Sequence, residues 1–184
     1  MKEMEDDKMI KDIIVIYNSQ TGFTKRYAQW ISETLECEYV ELKEAGKLNF
    51  EQYGTIIFGG WACAGGISKI KWFKNNLKKW GNKKLAVYCV GGSPIENPEI
   101  EVAMKNWFTE EEHQKVKTFY CPGGINYERM SVPSKLMMKM FISALKAKKD
   151  KTEAEKIQLE MISKSYDISD KKYIEPIVDW AKPT

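Results

Sequence analysis

Apolar residues in the first two thirds of the chain form short runs that alternate with longer stretches of helical spacing. Short runs bounded by glycine or polar residues predict strands, and spacings of three and four residues predict helices. The predicted strands are Asp12–Tyr17, Glu38–Leu42, Tyr53–Gly60, Leu85–Val90 and Val116–Cys121. The predicted helices are Lys25–Leu35, Ile67–Trp80, Pro98–Phe108 and, near the end of the chain, Asp170–Trp180. This alternation predicts an α/β fold with a doubly wound parallel sheet, whose five strands we expect in the order 2-1-3-4-5.

The alternation breaks after Pro122, where residues 123–169 precede the last helix as an insertion. In this insertion, Lys135, Lys139 and Ser143 share one helical stripe. A broad apolar face lies beside the stripe and comprises Leu136, Met137, Met140, Phe141 and Ala144. Such a helix over 133–149 can lie on an anionic membrane, cover a cofactor or bind an apolar substrate. The alternative is a helix packed on the domain with solvated lysines, as we expect for the charge run 146–156.

The composition favours one globular domain over residues 1–184, with residues 1–10 expected to be flexible. Hydrophobic residues make up 43% of the chain and aromatic residues 12%, which argues against a disordered protein. No apolar run approaches the roughly 20 residues needed to cross a bilayer, and the first residues are charged, unlike those of a signal peptide. We therefore expect a cytoplasmic protein, and we expect no nucleic-acid partner.

The four cysteines are widely spaced, and no Cys-x-x-Cys pair encodes a zinc ribbon or a redox dithiol. Cys37, Cys89 and Cys121 fall in or beside predicted strands, where a cysteine usually serves as a small buried hydrophobe. Cys63 lies outside this pattern, in a glycine-rich loop. His113, the only histidine, lies among acidic residues at a solvated helix end. We expect neither a histidine-based triad nor a metal site.

The most informative motif is the polar loop between the first predicted strand and the helix that follows it. Ser19, Thr21 and Thr24 supply hydroxyl groups, and Gly22 permits close approach of the backbone to a ligand. The start of a helix presents unpaired N–H groups and the positive end of the backbone dipole, which together attract a phosphate. Neither a P-loop nor a three-glycine dinucleotide motif is present. The loop therefore predicts a phosphate site, with an ordinary polar turn as the alternative.

This loop resembles the flavin-phosphate signature of flavodoxins, which combines an aromatic residue, Ser or Thr, Gly, Thr and Ala at fixed spacing. Tyr17, Ser19, Gly22, Thr24 and Ala28 occupy those positions here. The resemblance implies a flavodoxin-like fold and FMN as the cofactor. It also implies that the phosphate is held by Ser19, Gln20, Thr21, Gly22, Phe23 and Thr24.

In flavodoxin-like proteins, the loops after the third and fourth strands surround the isoalloxazine ring of FMN. The resemblance thus implies ring contacts by Trp61, Ala62, Cys63, Ala64, Gly91 and Gly92. Trp61 offers a flat indole face for stacking on the ring, although packing in the core is the alternative. Cys63 can act either as a redox thiol or as a small residue whose backbone contacts the ring. The loop 91–98 lacks the tyrosine that many electron-carrier flavodoxins place over the flavin, so we expect one open ring face.

Two further motifs are similar to those of the flavodoxin-domain group that includes bacterial quinone-dependent protoporphyrinogen oxidases. One is the Trp61–Gly65 loop followed by a lysine-rich helix, and the other is the Gly123–Tyr127 entry into a basic, methionine-rich insertion. The resemblance implies an FMN-dependent oxidoreductase that passes electrons from a porphyrinogen-like substrate to a quinone, with no catalytic side chain assigned. In that group the insertion is associated with membrane or substrate access, which implies peripheral membrane contact through 133–149.

The alternative function is a non-catalytic electron shuttle that docks on a redox partner protein. Typical flavodoxins are strongly acidic, which helps them dock on basic partners, whereas this chain has a net charge of +3. Electrostatic steering would therefore favour different partners. A degenerate binding domain that has lost its flavin is a third reading.

Overall fold

A computed structural model describes residues 12–182 of the chain. The expected flexibility of residues 1–10 lies outside this range. The first part of the chain contains β1 (Ile13–Tyr17), α1 (Phe23–Leu35), β2 (Glu38–Glu41), β3 (Thr55–Cys63), β4 (Gly66–Ile67), α2 (Ile70–Asn76) and β5 (Lys84–Gly91). The second part contains α3 (Pro98–Asn106), α4 (Glu110–Lys115), β6 (Val116–Pro122), β7 (Gly124–Ile125), α5 (Val132–Ala147), α6 (Glu153–Ile162), β8 (Tyr166–Asp167) and α7 (Glu175–Ala181).

The central sheet has the predicted topology. Its parallel strands run in the order β2-β1-β3-β5-β6, which is 2-1-3-4-5 when the five predicted strands are counted alone. The register places Val15 of β1 opposite Tyr39 of β2 on one side and Ile57 of β3 on the other. Because parallel strands end at the same edge of a sheet, the loops after β1, β3 and β5 meet at the edge next to the switch in strand order.

Apolar side chains fill both faces of the sheet, as expected for strands that read as continuous hydrophobic runs. One face carries Ile14, Phe58 and Val87, which pack against α2 and an aromatic cluster around Phe73 and Trp80. The opposite face packs against α1 and α7 and includes Val15, Ile57, Tyr88, Tyr27 and Ile177. Each fully buried side chain of this size contributes roughly 1.5–3 kcal/mol, so the two layers hold the strand ends in fixed positions.

The third strand is longer than its glycines predict. Gly59 and Gly60 do not end it, since β3 continues to Cys63 and turns back through Ala64 and Gly65 into β4. A Cβ atom on Gly59 would lie 2.0 Å from the ring of Tyr88, so this glycine makes room for a core tyrosine inside the strand. Trp61, Ala62 and Cys63 are therefore strand residues of a β-hairpin, and their expected place in a loop was wrong.

Two helices are shorter than their apolar spacing predicts. The predicted helix 67–80 begins only at Ile70, because Ile67 pairs in β4 and Lys69 adopts a left-handed backbone conformation with φ 61°. The predicted helix 170–180 divides into a 3-10 turn at Lys171–Ile174 and the short helix α7. Pro176 in the first turn of α7 has no N–H to donate to the preceding turn, which prevents one continuous α-helix.

The segment 123–169 forms a two-stranded sheet, β7 with β8, and the helices α5 and α6. The two helices pack on each other through a small apolar cluster that includes Ile125, Met138, Ile142, Leu145 and Ile162. The face of α5 expected from its sequence is the outer one, where Leu136, Met140 and Phe141 are exposed. Helix α5 is therefore apolar on two sides, and the side that packs is the narrower one. In residues 12–182, no helix is long and apolar enough to cross a membrane.

Candidate functional site

A cavity of about 810 Å³ lies at the edge of the sheet where β1, β3 and β5 end. It joins the three loops named by the sequence and is lined by Gln20, Thr21, Phe23, Thr24, Trp61, Ala62, Cys63, Ala64, Gly91 and Gly92. Gly22 lines a second cavity of about 540 Å³, which shares Thr21 and Phe23 with the first, and Ser19 lines neither cavity. The fold thus brings ten of the twelve candidate residues to one cavity.

The loop after β1 is shaped to begin a helix. Gly22 precedes α1 with φ 104°, a conformation that side chains disfavour, so glycine is required there. The Ser19 hydroxyl accepts a hydrogen bond from the Gly22 N–H at 3.2 Å and closes the loop on itself. The first turn of α1 contains no acidic residue but does contain Lys25 and Arg26. Because Asp167 pairs with Arg26, the helix dipole and the Lys25 charge are what favour an anion at this end of α1.

Trp61 is positioned by a serine that sequence reasoning missed. The Ser68 hydroxyl accepts hydrogen bonds from the Trp61 backbone N–H and from the Asn18 side chain, both at 3.1 Å. Ser68 in turn donates its backbone N–H to the Trp61 carbonyl at 2.9 Å. Trp61 is partly exposed and lines the larger cavity, while Cys63 near the tip of the hairpin is exposed. The hairpin thus presents an aromatic ring and small residues to the cavity.

Two tyrosines pack against Gly91 and Gly92 at the end of β5. The Tyr120 hydroxyl donates to the Ser93 carbonyl at 2.8 Å and accepts from the Ser93 N–H at 3.1 Å. The Tyr166 hydroxyl, from β8 in the insertion, donates to the Gly92 carbonyl at 2.6 Å. Burial raises the pKa of Tyr166 to about 12, so this donor keeps its proton at neutral pH. A side chain on either glycine would collide with the tyrosine beside it.

The insertion supplies the wall of the cavity opposite the three loops. Its contribution is mainly apolar and comes from Ile125, Met130, Met137, Met138, Ile157, Met161 and Ile162. Helix α6, whose first residues fall in the predicted charge run 146–156, carries three of these residues. A signal for this helix was present, because Thr152 and Glu155 have the spacing of a capping box and form one in the structure.

The sequence comparison with family models decides the assignment. A family model described as a flavodoxin domain matches residues 14–153, which is more than half of the chain. The chain belongs to the flavodoxin-domain family. No curated protein matches it. This flavodoxin-domain protein is thus an FMN-binding redox protein, and the more specific protoporphyrinogen oxidase group does not follow from the match.

Several solved structures are similar to this flavodoxin-domain protein at low sequence identity. The Trp repressor binding protein of Bacillus subtilis is 18% identical, with a TM-score of 0.45 over 64% of this chain and 88% of that chain. The WrbA-like flavodoxin of Agrobacterium tumefaciens is 19% identical, with a TM-score of 0.37 over 66% of this chain and 86% of that chain. A flavodoxin from the domain Archaea is 15% identical, with a TM-score of 0.37 over 61% and 85%.

The residues present fit FMN. The Gly22 turn places a helix N-terminus without a carboxylate in its first turn at the smaller cavity, which shares Thr21 and Phe23 with the larger one, and such a helix start suits a phosphate. The cavity itself is mostly apolar and contains an indole ring and backbone groups at two glycines, as a flat aromatic ring system requires. Arg129, which sequence reasoning did not single out, also lines the cavity at Gly22.

Proposed function

We propose that this protein is an FMN-dependent oxidoreductase that takes electrons from an apolar, porphyrinogen-like substrate and passes them to a quinone. The observation that carries the proposal is the apolar wall that α5 and α6 add to the FMN cavity. An electron shuttle needs only an exposed edge of its flavin, whereas an enzyme needs a second site for an organic substrate beside it. The volume of about 810 Å³ lies in the upper part of the range of roughly 300–1,000 Å³ seen for small-molecule sites.

The loop residues have holding roles in this proposal. Gln20, Thr21 and Thr24 bind the ribityl phosphate together with the backbone N–H of Phe23 at the helix start, and Ser19 shapes the loop by accepting the Gly22 N–H. Trp61 to Ala64 and Gly91–Gly92 hold the ring, and the exposed Cys63 thiol is not needed for electron transfer. When bound, FMN supplies the redox chemistry. Each two-electron oxidation of the substrate releases two electrons and two protons, and the quinone takes up both as it becomes a quinol.

The methionines of the insertion suit an apolar substrate. Met130, Met138 and Met161 are partly buried, flexible and polarisable, so they can adapt to a large planar molecule and keep water from it. The basic balance of the chain supports the same class of function, since a net charge of +3 disfavours docking on the basic partners that acidic carriers use.

The outer face of α5 supports contact with an anionic membrane, where quinones reside. Val132, Leu136 and Met140 are 79%, 58% and 65% exposed at a spacing of four residues. Lys139 beside them is exposed, as are Lys146 and Lys149 near the end of the helix. An exposed apolar stripe flanked by lysines is the pattern of a helix that lies in a membrane interface.

Turnover of the FMN-loaded protein tests the proposal. Protoporphyrinogen oxidation is measured with menaquinone as acceptor, and reduction of the same protein by a flavodoxin reductase is measured in parallel. The matched variants are Ile157→Gln in the cavity wall and Val102→Gln on α3, whose side chains are 60% and 61% exposed. We expect quinone-dependent turnover, a KM for the porphyrinogen raised at least about threefold in Ile157→Gln, and no change in Val102→Gln.

Two results would contradict the proposal. Fast reduction by the reductase without any porphyrinogen turnover would establish a shuttle. A purified protein that stays colourless and takes up no added FMN would remove the cofactor itself.

A further inference from the structure

Arg129 is a cation held beside the start of α1. Its backbone N–H donates to the Asn126 side chain at 3.0 Å, which fixes the turn after β7. Its guanidinium Nη1 lies 3.4 Å from the place that a Cβ atom on Gly22 would occupy. Within residues 12–182, Arg129 forms no ion pair and donates no side-chain hydrogen bond.

The neighbouring Arg26 has a different role. Its guanidinium is bound by Asp167 at 2.5 Å and by the Ser169 hydroxyl at 2.6 Å, so its charge is neutralised within the protein. Both arginines line the smaller cavity together with Lys25, and Asp167 is the one carboxylate there among the described residues. The positive charges of Lys25 and Arg129 therefore remain to attract an anion.

The insertion also contacts the loop Ser19–Thr24 close to Arg129 in the sequence. The Gln20 side chain donates to the Ser131 hydroxyl at 3.2 Å, two residues after Arg129. The loop Ser19–Thr24 offers hydroxyls, an amide side chain and backbone N–H groups but contains no charged side chain. A phosphate ester with up to two negative charges would be balanced there only in part by the helix dipole.

We propose that Arg129 binds the phosphate of FMN, so that the insertion supplies the charge that the loop lacks. This inference rests on the FMN site of the proposed function. A guanidinium can donate two parallel hydrogen bonds to a phosphate, and such charge-assisted bonds are stronger than neutral ones. Arg129 is then a binding residue that selects FMN over riboflavin, which lacks the phosphate.

Flavin affinities measured by fluorescence quenching test this assignment. The dissociation constants of FMN and riboflavin are compared for the wild type, Arg129→Gln, Arg129→Lys and Lys139→Gln. Lys139 is an exposed lysine of the same insertion that lines neither cavity, so Lys139→Gln removes an equal charge. We expect Arg129→Gln to weaken FMN binding about tenfold and to leave riboflavin binding within twofold. Arg129→Lys should recover part of the loss, and Lys139→Gln should resemble the wild type.

The outcomes separate this inference from the function on which it rests. If the wild type binds FMN and Arg129→Gln binds it equally well, or loses both flavins to the same extent, the assignment of Arg129 is wrong while the FMN site stands. If the wild type binds no FMN, both are wrong. Far-ultraviolet circular dichroism and thermal melting of Arg129→Gln verify that the exposed substitution leaves the fold intact.

Discussion

Gly92 shows how a single missing side chain holds the insertion on the sheet. Its carbonyl accepts the hydrogen bond from the Tyr166 hydroxyl, and a Cβ atom at Gly92 would lie 2.7 Å from the same oxygen. The contact joins the end of β5 to β8 across 74 positions of sequence. Glycine is needed here for space, since the backbone of Gly92 has an ordinary conformation.

Gly92→Ala should destabilise the protein by roughly 1–3 kcal/mol, because the methyl group and the Tyr166 hydroxyl cannot occupy the same space. Denaturant unfolding measures this loss. Tyr166→Phe alone should cost about 1 kcal/mol through the lost hydrogen bond.

The double variant Gly92→Ala/Tyr166→Phe provides the control. Without the hydroxyl, the added methyl group meets only ordinary contacts, at 3.7 Å from Ile125 and 3.8 Å from the ring of residue 166. Adding Gly92→Ala to the Tyr166→Phe variant should therefore lower the free energy of unfolding by less than about 0.5 kcal/mol. Additive losses in the double variant would show that the steric explanation is incorrect.

Residues could be predicted where their chemistry is local. The spacing from Tyr17 to Ala28 predicted the strand, the turn and the helix start of this segment because the three follow one another within a few residues. Ser68 and Tyr166 could not be identified, because their partners are set by tertiary packing and their residue types occur everywhere in proteins. Arg129 was missed for the same reason, since its place beside Gly22 depends on the path of the insertion.

At the scale of elements, the ion pair between Arg26 and Asp167 links α1 to β8. Burial by itself would raise the pKa of Asp167, but hydrogen bonds from Ser169 and Arg26 outweigh it and lower the pKa below 3.8. A carboxyl whose pKa is lowered by folding stabilises the folded state above its unfolded pKa, and this contribution is lost as the pH falls through the folded pKa. The link between α1 and the insertion should therefore weaken in acid.

Asp167→Asn should reduce the free energy of unfolding at pH 7 by at most about 1 kcal/mol, because both side chains are more than 40% exposed and solvent screens the pair. The difference from the wild type should shrink as the pH falls below 3.8. Urea unfolding at a series of pH values measures it.

Asp179→Asn is the matched control, because Asp179 forms a surface ion pair with Lys182 at 3.2 Å near the end of the chain. Its effect should be near zero at every pH. If the free energies of unfolding of Asp167→Asn and the wild type differ by the same amount down to pH 2, titration of this pair is not the cause of the difference.

Element types were easier to predict than element ends. Four of the five parallel strands were found as apolar runs and β2 as an alternating edge strand, and the strand order follows from the alternation with helices. The end of β3 was misplaced because glycines usually stop a strand, whereas here Tyr88 fills the space over Gly59. Helix α6 was missed because its charged residues hid the capping box at Thr152.

At the scale of the whole molecule, the exposed apolar face of α5 leads us to expect binding to anionic membranes. Leu136→Gln/Met140→Gln should lower binding to vesicles of anionic phospholipid at least about tenfold, since two exposed apolar side chains no longer enter the interface. Vesicle co-sedimentation at low and high salt measures binding, and high salt should weaken it in the wild type.

Ile95→Gln/Val102→Gln removes two exposed apolar side chains elsewhere on the molecule, at 44% and 61% exposure, and should leave vesicle binding unchanged. Equal losses in the two double variants would show that general surface apolarity, and not α5, drives the binding.

The Ser68 hydroxyl has a consequence for ligand shape. It accepts hydrogen bonds both from Asn18, next to the loop Ser19–Thr24, and from Trp61, which lines the larger cavity. Two hydrogen bonds to one oxygen atom therefore couple the segment before α1 to the β3–β4 hairpin. We expect this connection to set the distance between the phosphate and the ring of a bound flavin. Flavins with a shortened or lengthened sugar chain should therefore bind more weakly than FMN, even though each of their ends has a place to bind.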